Sequence, residues 1–201
     1  MRYFANPSTP AVREAMRAGL LSVITTPLQG NAHVEGAEWC ADNGCFGSGY
    51  PGEGGWWRWL RGRVEGSVGP CAFAVAPDVV GDARATLARS LPWLHRIRSL
   101  SVPAAFVLQD GVWFVPWDDF DVLFIGGSTE FKLGPIAKDY AGEAVERGKR
   151  VHMGRVNSRK RLAYASSIGC STSDGTFIAF GPDVNLPRVL RWLEEVNAPQ
   201  D

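Results

Sequence analysis

The sequence predicts an α/β fold, a compact (β/α)8 barrel of the TIM type, as a single domain over residues 1–201. Two observations carry this prediction. Eight short and mostly apolar runs are bounded by Gly, Pro, Asp or Asn, as buried parallel strands are. Most of these runs are followed by a helical pattern or a crossover loop. A length of 201 residues lies near the lower size limit of this fold, and an open doubly wound sheet is the alternative.

The eight predicted strands are spread along the whole chain. Their β-branched and aromatic residues favour extended structure, and turn-forming residues bound most of them. The last is polar and is the least typical of a buried strand. They cover residues 2–4, 21–25, 38–42, 71–76, 104–108, 122–125, 150–153 and 170–173.

Helical patterns fill most of the intervals between the strands. Ser8-Thr9-Pro10 opens the first with a capping hydroxyl and a proline in the first turn. Gly148 and Gly169 are typical residues for ending a helix. The segment 27–36 is predicted as a loop. The remaining helices are predicted over 55–64, 82–100, 130–147, 158–168 and 186–196.

The charge balance and the cysteines exclude several classes of protein. The chain has 21 basic and 21 acidic residues, which excludes a strongly basic histone-like binder but not a local basic patch. No apolar run approaches the roughly 18–20 residues that span a bilayer, and the first residues do not resemble a signal peptide. We therefore expect a cytoplasmic protein without a membrane partner, in the bacterial host cytoplasm if a phage encodes it. The four cysteines lack metal-ligand spacing, so no metal site is expected.

Polar residues follow the predicted strands where each strand ends. In a barrel the active site lies at the carboxyl ends of the strands, so Asp42, Asp78 and Asp174 are expected to converge there. One aspartate can act as a nucleophile and another as a general acid/base if their environments keep their pKa values apart. Gln109 offers a donor and an acceptor to a heterocycle, and the Gly126-Gly127 pair lets a flat ligand approach the backbone.

These strand ends carry short motifs in a fixed order. The motifs are Asp42-Asn43-Gly44-Cys45-Phe46, Val75-Ala76-Pro77-Asp78, Val107-Leu108-Gln109, Ile125-Gly126-Gly127, Met153-Gly154 and Gly169-Cys170-Ser171-Thr172-Ser173-Asp174. In the same order, they resemble motifs of the tRNA-guanine transglycosylase superfamily, in a short form similar to the phage-type DNA 7-deazaguanine transglycosylases. The resemblance covers about residues 42–174.

The resemblance implies catalytic roles for two carboxylates. The first motif is similar to the family's Asp-Ser-Gly-Gly-aromatic-Gln, which implies that Asp42 is a general acid/base or a base-binding carboxylate. The last aligns with Gly-x-Asp-x-x-Asp, whose final residue is the nucleophile, here Asp174. The implied reaction exchanges guanine in DNA for a free 7-deazaguanine, such as 7-cyano-7-deazaguanine, through a covalent glycosyl–aspartate and without a cofactor. The implied base-binding residues are Asn43, Phe46, Asp78, Gln109, Gly126, Gly127 and Met153.

The chain departs from the family pattern in several places. Asn43, Cys45 and Ser171 replace the family's Ser, Gly and Asp. The family's Pro-Thr-Arg segment and its C-terminal zinc subdomain are missing, and because these parts help to hold RNA, DNA is the preferred acceptor. A tRNA-guanine transglycosylase, a barrel glycoside hydrolase with paired aspartates and a non-catalytic nucleic-acid-binding barrel are the alternatives.

A basic cluster lies beside the proposed site. Arg155, Arg159 and Lys160 occur around a predicted helix start, where backbone N–H groups also favour anions. We therefore expect these three residues to contact nucleic-acid phosphates rather than to distinguish bases.

Overall fold

A computed structural model of the chain describes residues 1–199, and its eight strands form a closed parallel barrel. Each strand pairs with the next along the chain, and β8 pairs with β1 to close the sheet. The predicted TIM-type barrel is confirmed. The strands are β1 (Arg2–Ala5), β2 (Ser22–Thr25), β3 (Trp39–Ala41), β4 (Cys71–Val75), β5 (Ala104–Leu108), β6 (Val122–Ile125), β7 (Arg150–Met153) and β8 (Thr172–Asp174).

Within the described residues 1–199, seven α-helices accompany the barrel strands. Thr9 caps the first, since its hydroxyl accepts a hydrogen bond from the Val12 N–H at 3.3 Å and Pro10 is the first helical residue. None of the helices within residues 1–199 is both long and apolar enough to cross a membrane. The helices are α1 (Pro10–Arg17), α2 (Gly52–Glu65), α3 (Ala83–Arg98), α4 (Thr129–Lys132), α5 (Pro135–Glu146), α6 (Arg159–Ser167) and α7 (Pro182–Asn197).

The segment predicted as one helix over 130–147 is two helices. The short α4 ends at Lys132, and α5 begins at Pro135 after an extended Gly134 with φ −89° and ψ 169°. A proline has no N–H to continue the preceding helix, and its ring disfavours helical geometry in the residue before it. Lys132, the last residue of α4, contacts the Gly154 carbonyl just after β7.

The last strand differs from its prediction in a way that matters for the site. It spans Thr172–Asp174 instead of 170–173. Asp174 is therefore the final residue of β8, in register with Phe4 of β1. A strand residue has less conformational freedom than a loop residue, so the sheet itself fixes the backbone of Asp174.

Side chains alternate between the inside of the barrel and the layer between strands and helices. On β7, His152 points inward, where its ring packs against Phe4, Phe73 and Phe124. Its neighbour Met153 points outward and belongs to the large core between strands and helices. Ten buried residues form an apolar cluster inside the barrel: Phe4, Ile24, Cys40, Ala72, Phe73, Val75, Ala105, Val107, Val122 and Phe124.

Candidate active site

A cavity of about 130 Å³ opens at the carboxyl ends of the strands. Its apolar lining comes from Val75, Val107 and Phe124, and its polar lining comes from residues that follow or end five different strands. The volume is small beside the roughly 300–1,000 Å³ of pockets for drug-sized ligands, so it suits one flat ring system. The predicted site residues that line it are Asp42, Asn43, Phe46, Asp78, Gln109, Gly126, Gly127, Arg155 and Asp174.

Asp42 follows β3 and titrates close to neutral pH. Burial raises the pKa of its carboxyl to about 7; the hydrogen bond from the Gly44 N–H, at 2.7 Å, opposes this, and the negative charges of Asp174 and Asp78 add to it. A group with a pKa near 7 exchanges a proton readily under neutral conditions. Asp42 is therefore suited to proton transfer.

Asp78 is held by two side-chain amides. Asn43 Nδ2 donates to Oδ1 at 2.8 Å, and Gln109 Nε2 donates to Oδ2 at 2.5 Å. Burial raises the pKa of this carboxyl, while hydrogen bonds from Asn43, Gln109 and Cys45 oppose the shift. These two amides fix the positions of both carboxylate oxygens at the wall of the cavity.

The side-chain amides of Asn43 and Gln109 differ in how many N–H groups remain free for a ligand. Asn43 Nδ2 also donates to the Ala76 carbonyl at 2.8 Å, which uses both of its hydrogens. Gln109 Oε1 accepts from the Gly81 N–H at 3.0 Å, and one amide hydrogen remains. Asn43 was predicted to bind substrate, and it does line the cavity. Both of its N–H groups are hydrogen-bonded within the protein, so its role here is to orient Asp78.

Asp174 accepts one hydrogen bond on each oxygen. His152 Nε2 lies 2.9 Å from Oδ2, and the Arg155 backbone N–H donates to Oδ1 at 3.2 Å. His152 Nδ1 in turn lies 2.9 Å from the Thr172 hydroxyl. Hydrogen bonds of this kind stabilise a negative carboxylate and fix its plane. The Asp174 carboxyl group is thus held in a fixed orientation at the edge of the cavity, and the residue is 9% exposed.

Arg155 has an unusual backbone and an unusual side-chain position. Its φ of 60° lies in the left-handed region, which side chains other than glycine rarely adopt. This conformation accompanies the hydrogen bond from its N–H to Asp174. The guanidinium lies 4.1 Å from the centroid of the Phe46 ring and donates to the Gly127 carbonyl. Arg155 therefore lies over the cavity and stacks on an aromatic ring that is itself 63% exposed.

The diglycine after β6 has no room for side chains. A Cβ on Gly126 would lie 2.6 Å from Val107 Cγ1, and one on Gly127 would lie 2.4 Å from Asp110 Oδ2. Gly127 also has φ 73°. Only glycine allows this backbone to line the cavity directly.

A buried lysine supports the next strand end. Lys132 Nζ donates to the Gly154 carbonyl at 2.8 Å, and only 3% of the residue is exposed. Burial lowers its pKa to about 8, the charge of Arg155 adds to this, and Asp174 opposes it. Lys132 does not line the cavity, so we assign it to holding the β7 end in place.

Three predicted residues lie away from the cavity. Met153 packs outside the barrel, because strand alternation turns it away from the inward-facing His152; Gly154, not Met153, lines the cavity. Arg159 and Lys160 line a separate groove between α6 and α7. There Arg159 Nε forms an ion pair with Glu195 Oε2 at 2.5 Å. Their predicted phosphate contacts would therefore be made outside the cavity.

Sequence reasoning missed two contacts in this site. His152 was not among the predicted site residues, although it faces the barrel interior on β7, two positions before the cavity-lining Gly154. Arg155 was predicted to bind phosphate, and its stacking on Phe46 joins two segments 109 positions apart. No local pattern predicts that contact. Among residues 1–199, no three His, Cys, Asp or Glu side chains are arranged to hold a metal ion.

Comparisons with known proteins support the fold and leave the chemistry open. No family model matches the sequence, and no curated protein matches it significantly. Among solved structures, tryptophan synthase from M. tuberculosis in an aminoacrylate-bound form has a TM-score of 0.50 and 12% identity, covering 92% of this chain. A ligand-free form of that protein with a TrpA substitution gives the same values. This chain spans 64% of the length of those chains, and identity this low indicates a shared barrel fold alone.

Proposed function

We propose that this barrel is a transglycosylase that exchanges guanine in DNA for a free 7-deazaguanine base. The observation that carries the proposal is the sharing of one small cavity by three aspartates in three different environments. Asp42 is partly buried with a pKa near 7, Asp78 is fixed by two amides, and Asp174 is held by an imidazole and a backbone N–H. Base exchange requires three such roles: proton transfer, base recognition and nucleophilic attack.

In the first half of the reaction, a carboxylate oxygen of Asp174 bonds to the anomeric carbon of the target nucleotide. The bond from that carbon to N9 of guanine breaks, and its electron pair stays on the departing base. Protonated Asp42 supplies a proton to that base. The product is a glycosyl ester of Asp174 and a neutral guanine.

In the second half, the incoming 7-deazaguanine loses its N9 proton to the now ionised Asp42. N9 attacks the anomeric carbon, and the ester bond to Asp174 breaks. Asp174 recovers its negative charge and Asp42 its proton, so the enzyme returns to its starting state. A pKa of about 7 suits Asp42 to both directions of transfer.

Base recognition follows from the remaining lining. The Asp78 carboxylate, which lines the cavity, is an acceptor suited to the two adjacent N–H groups on the amidine edge of guanine or a 7-deazaguanine. Phe46 offers an exposed ring for stacking, and Val107 and Phe124 supply an apolar surface. The nucleotide must leave the duplex stack to enter, at a cost of a few kcal/mol.

The proposal is tested by incubating the protein with a guanine-containing DNA duplex and 7-cyano-7-deazaguanine, then digesting the DNA and analysing nucleosides by mass. We expect the deazaguanine deoxynucleoside to appear with wild type and to be absent with Asp174→Asn. Incorporation only into a tRNA offered in parallel would identify the RNA enzyme instead. Guanine release without incorporation would indicate a hydrolase, and no change in either nucleic acid would refute base exchange.

A further inference from the structure

We infer that His152 is a positioning residue that makes the Asp174 carboxylate a better leaving group in the second half of the reaction. This inference rests on the proposed function and extends it to a residue inside the barrel. Apolar packing alone does not explain why a histidine occupies this position inside the barrel. His152 is fully buried, and its ring centroid lies 5.9, 5.0 and 4.5 Å from those of Phe4, Phe73 and Phe124.

An imidazole surrounded by phenyl rings is costly to bury unless both nitrogens are hydrogen-bonded. Here both are bonded, to Thr172 and to Asp174. An ionised carboxylate only accepts hydrogen bonds, so Nε2 must carry a hydrogen directed at Asp174 Oδ2. The Thr172 hydroxyl can donate to Nδ1, which keeps that proton on Nε2. The chain Thr172–His152–Asp174 therefore presents one fixed donor to the proposed nucleophile.

The effect of this donor differs between the two half-reactions. Attack by Asp174 converts an anion into a neutral ester, and a hydrogen bond to the anion does not assist that change. Discharge of the ester returns the negative charge to Asp174, and His152 stabilises it as it develops. No proton moves from His152 in either step. Loss of the donor should therefore slow discharge much more than formation.

The chain contains a matched pair for comparison. His95 Nε2 lies 3.2 Å from Asp119 Oδ1 on the outer surface, and the His95 side chain is 68% exposed. This second His–Asp pair has similar geometry without a cavity or a proposed nucleophile. Replacing His95 controls for the loss of an imidazole–carboxylate contact as such.

The test follows the glycosyl ester by denaturing electrophoresis at pH 8. Enzyme and guanine-containing DNA form the covalent band, and excess 7-cyano-7-deazaguanine then discharges it. We expect His152→Leu to slow discharge by roughly 10- to 100-fold, the effect of one lost hydrogen bond to a charged group. Formation should change much less. His152→Gln, which offers an amide N–H, should restore most of the discharge rate, and His95→Leu should match wild type in both steps.

Thr172→Val provides a second variant that keeps the imidazole, and it should slow discharge in the same direction by a smaller factor. Unchanged discharge in folded His152→Leu and Thr172→Val would overturn the inference. Equal slowing of both steps with no recovery in His152→Gln would also overturn it, since that is the behaviour of a structural defect. Absence of a covalent band with wild type would instead refute the base-exchange proposal, and this inference with it.

Discussion

The two ends of this barrel hold aspartates in opposite ways. At the amino-terminal end, Asp121 precedes β6 and receives two hydrogen bonds from Arg98, at 3.1 and 2.8 Å, and one from the Ala104 N–H at 2.8 Å. At the carboxyl end, the partners of Asp42, Asp78 and Asp174 are backbone N–H groups, amides and an imidazole.

The difference appears in the pKa values. Burial alone would raise the pKa of Asp121, but the hydrogen bonds from Arg98 and Ala104 outweigh it and the pKa is lowered. Burial raises the pKa of Asp42 to about 7 because the single Gly44 N–H does not compensate for it. Asp121 is therefore held in its charged form, whereas Asp42 remains able to exchange a proton near neutral pH. In barrels of this type, residues at the amino-terminal end of the strands mainly stabilise the fold, and residues at the carboxyl end carry the chemistry.

Removal of the proposed nucleophile should have the largest effect on activity. Asp174→Asn keeps the shape and removes the charge, so base exchange should fall by roughly 10⁴-fold or more, as for other lost nucleophiles. Rates of deazaguanine incorporation into DNA measure this. Asp121→Asn is the matched control at the other end and should retain activity. Near wild-type exchange by Asp174→Asn would remove it from the mechanism.

Asp42→Asn should reduce exchange by about 10²–10⁴-fold, the usual range for a lost general acid/base. Its effect on stability should have the opposite sign. A pKa raised from 3.8 to about 7 stabilises the folded state below pH 4, and this stability is lost as the pH rises through 7. The variant lacks this dependence, so it should unfold at a higher temperature than wild type at pH 8. Thermal unfolding between pH 4 and 8 checks the sign.

Asp121→Asn should behave in reverse. A lowered pKa contributes stability above the unfolded value and loses it as the pH falls through the folded value. Because the Asp121 side chain is 37% exposed, solvent screening limits the loss at pH 7 to about 1–2 kcal/mol. Urea unfolding at pH 7 and at pH 3 should show a difference from wild type that shrinks at the lower pH. A destabilisation independent of pH would contradict the ion-pair explanation.

The smallest predicted effect concerns phosphate contacts outside the cavity. Lys160→Ala should weaken DNA binding equally for all sequences and reduce the slope of log affinity against log salt by about one. Arg159→Ala should do less, because Arg159 is already paired with Glu195. Arg17→Ala, an exposed cation in the last turn of α1, is the control. A changed sequence preference with an unchanged slope would show base readout instead.

The sequence predicted the barrel well because its strands are short apolar runs with clear boundaries. The bounds of β5, β6 and β7 agree with prediction at both ends. The break at Gly134-Pro135 was missed, although the proline carries a local signal for it. Met153 was placed in the site from a motif, whereas strand alternation turns it outward. The stacking of Arg155 on Phe46 depends on folding, which brings distant segments together.

The central claim is that Asp174 bonds covalently to the sugar during base exchange. Trapping the enzyme with guanine-containing DNA in the absence of free base, followed by nuclease and protease digestion and peptide mass analysis, tests it most directly. The account predicts a single added deoxyribose phosphate, without a base, on the peptide that contains Asp174, and this adduct should disappear when 7-cyano-7-deazaguanine is added before digestion. A modified peptide that contains Asp42 or Asp78 instead would contradict the assignment.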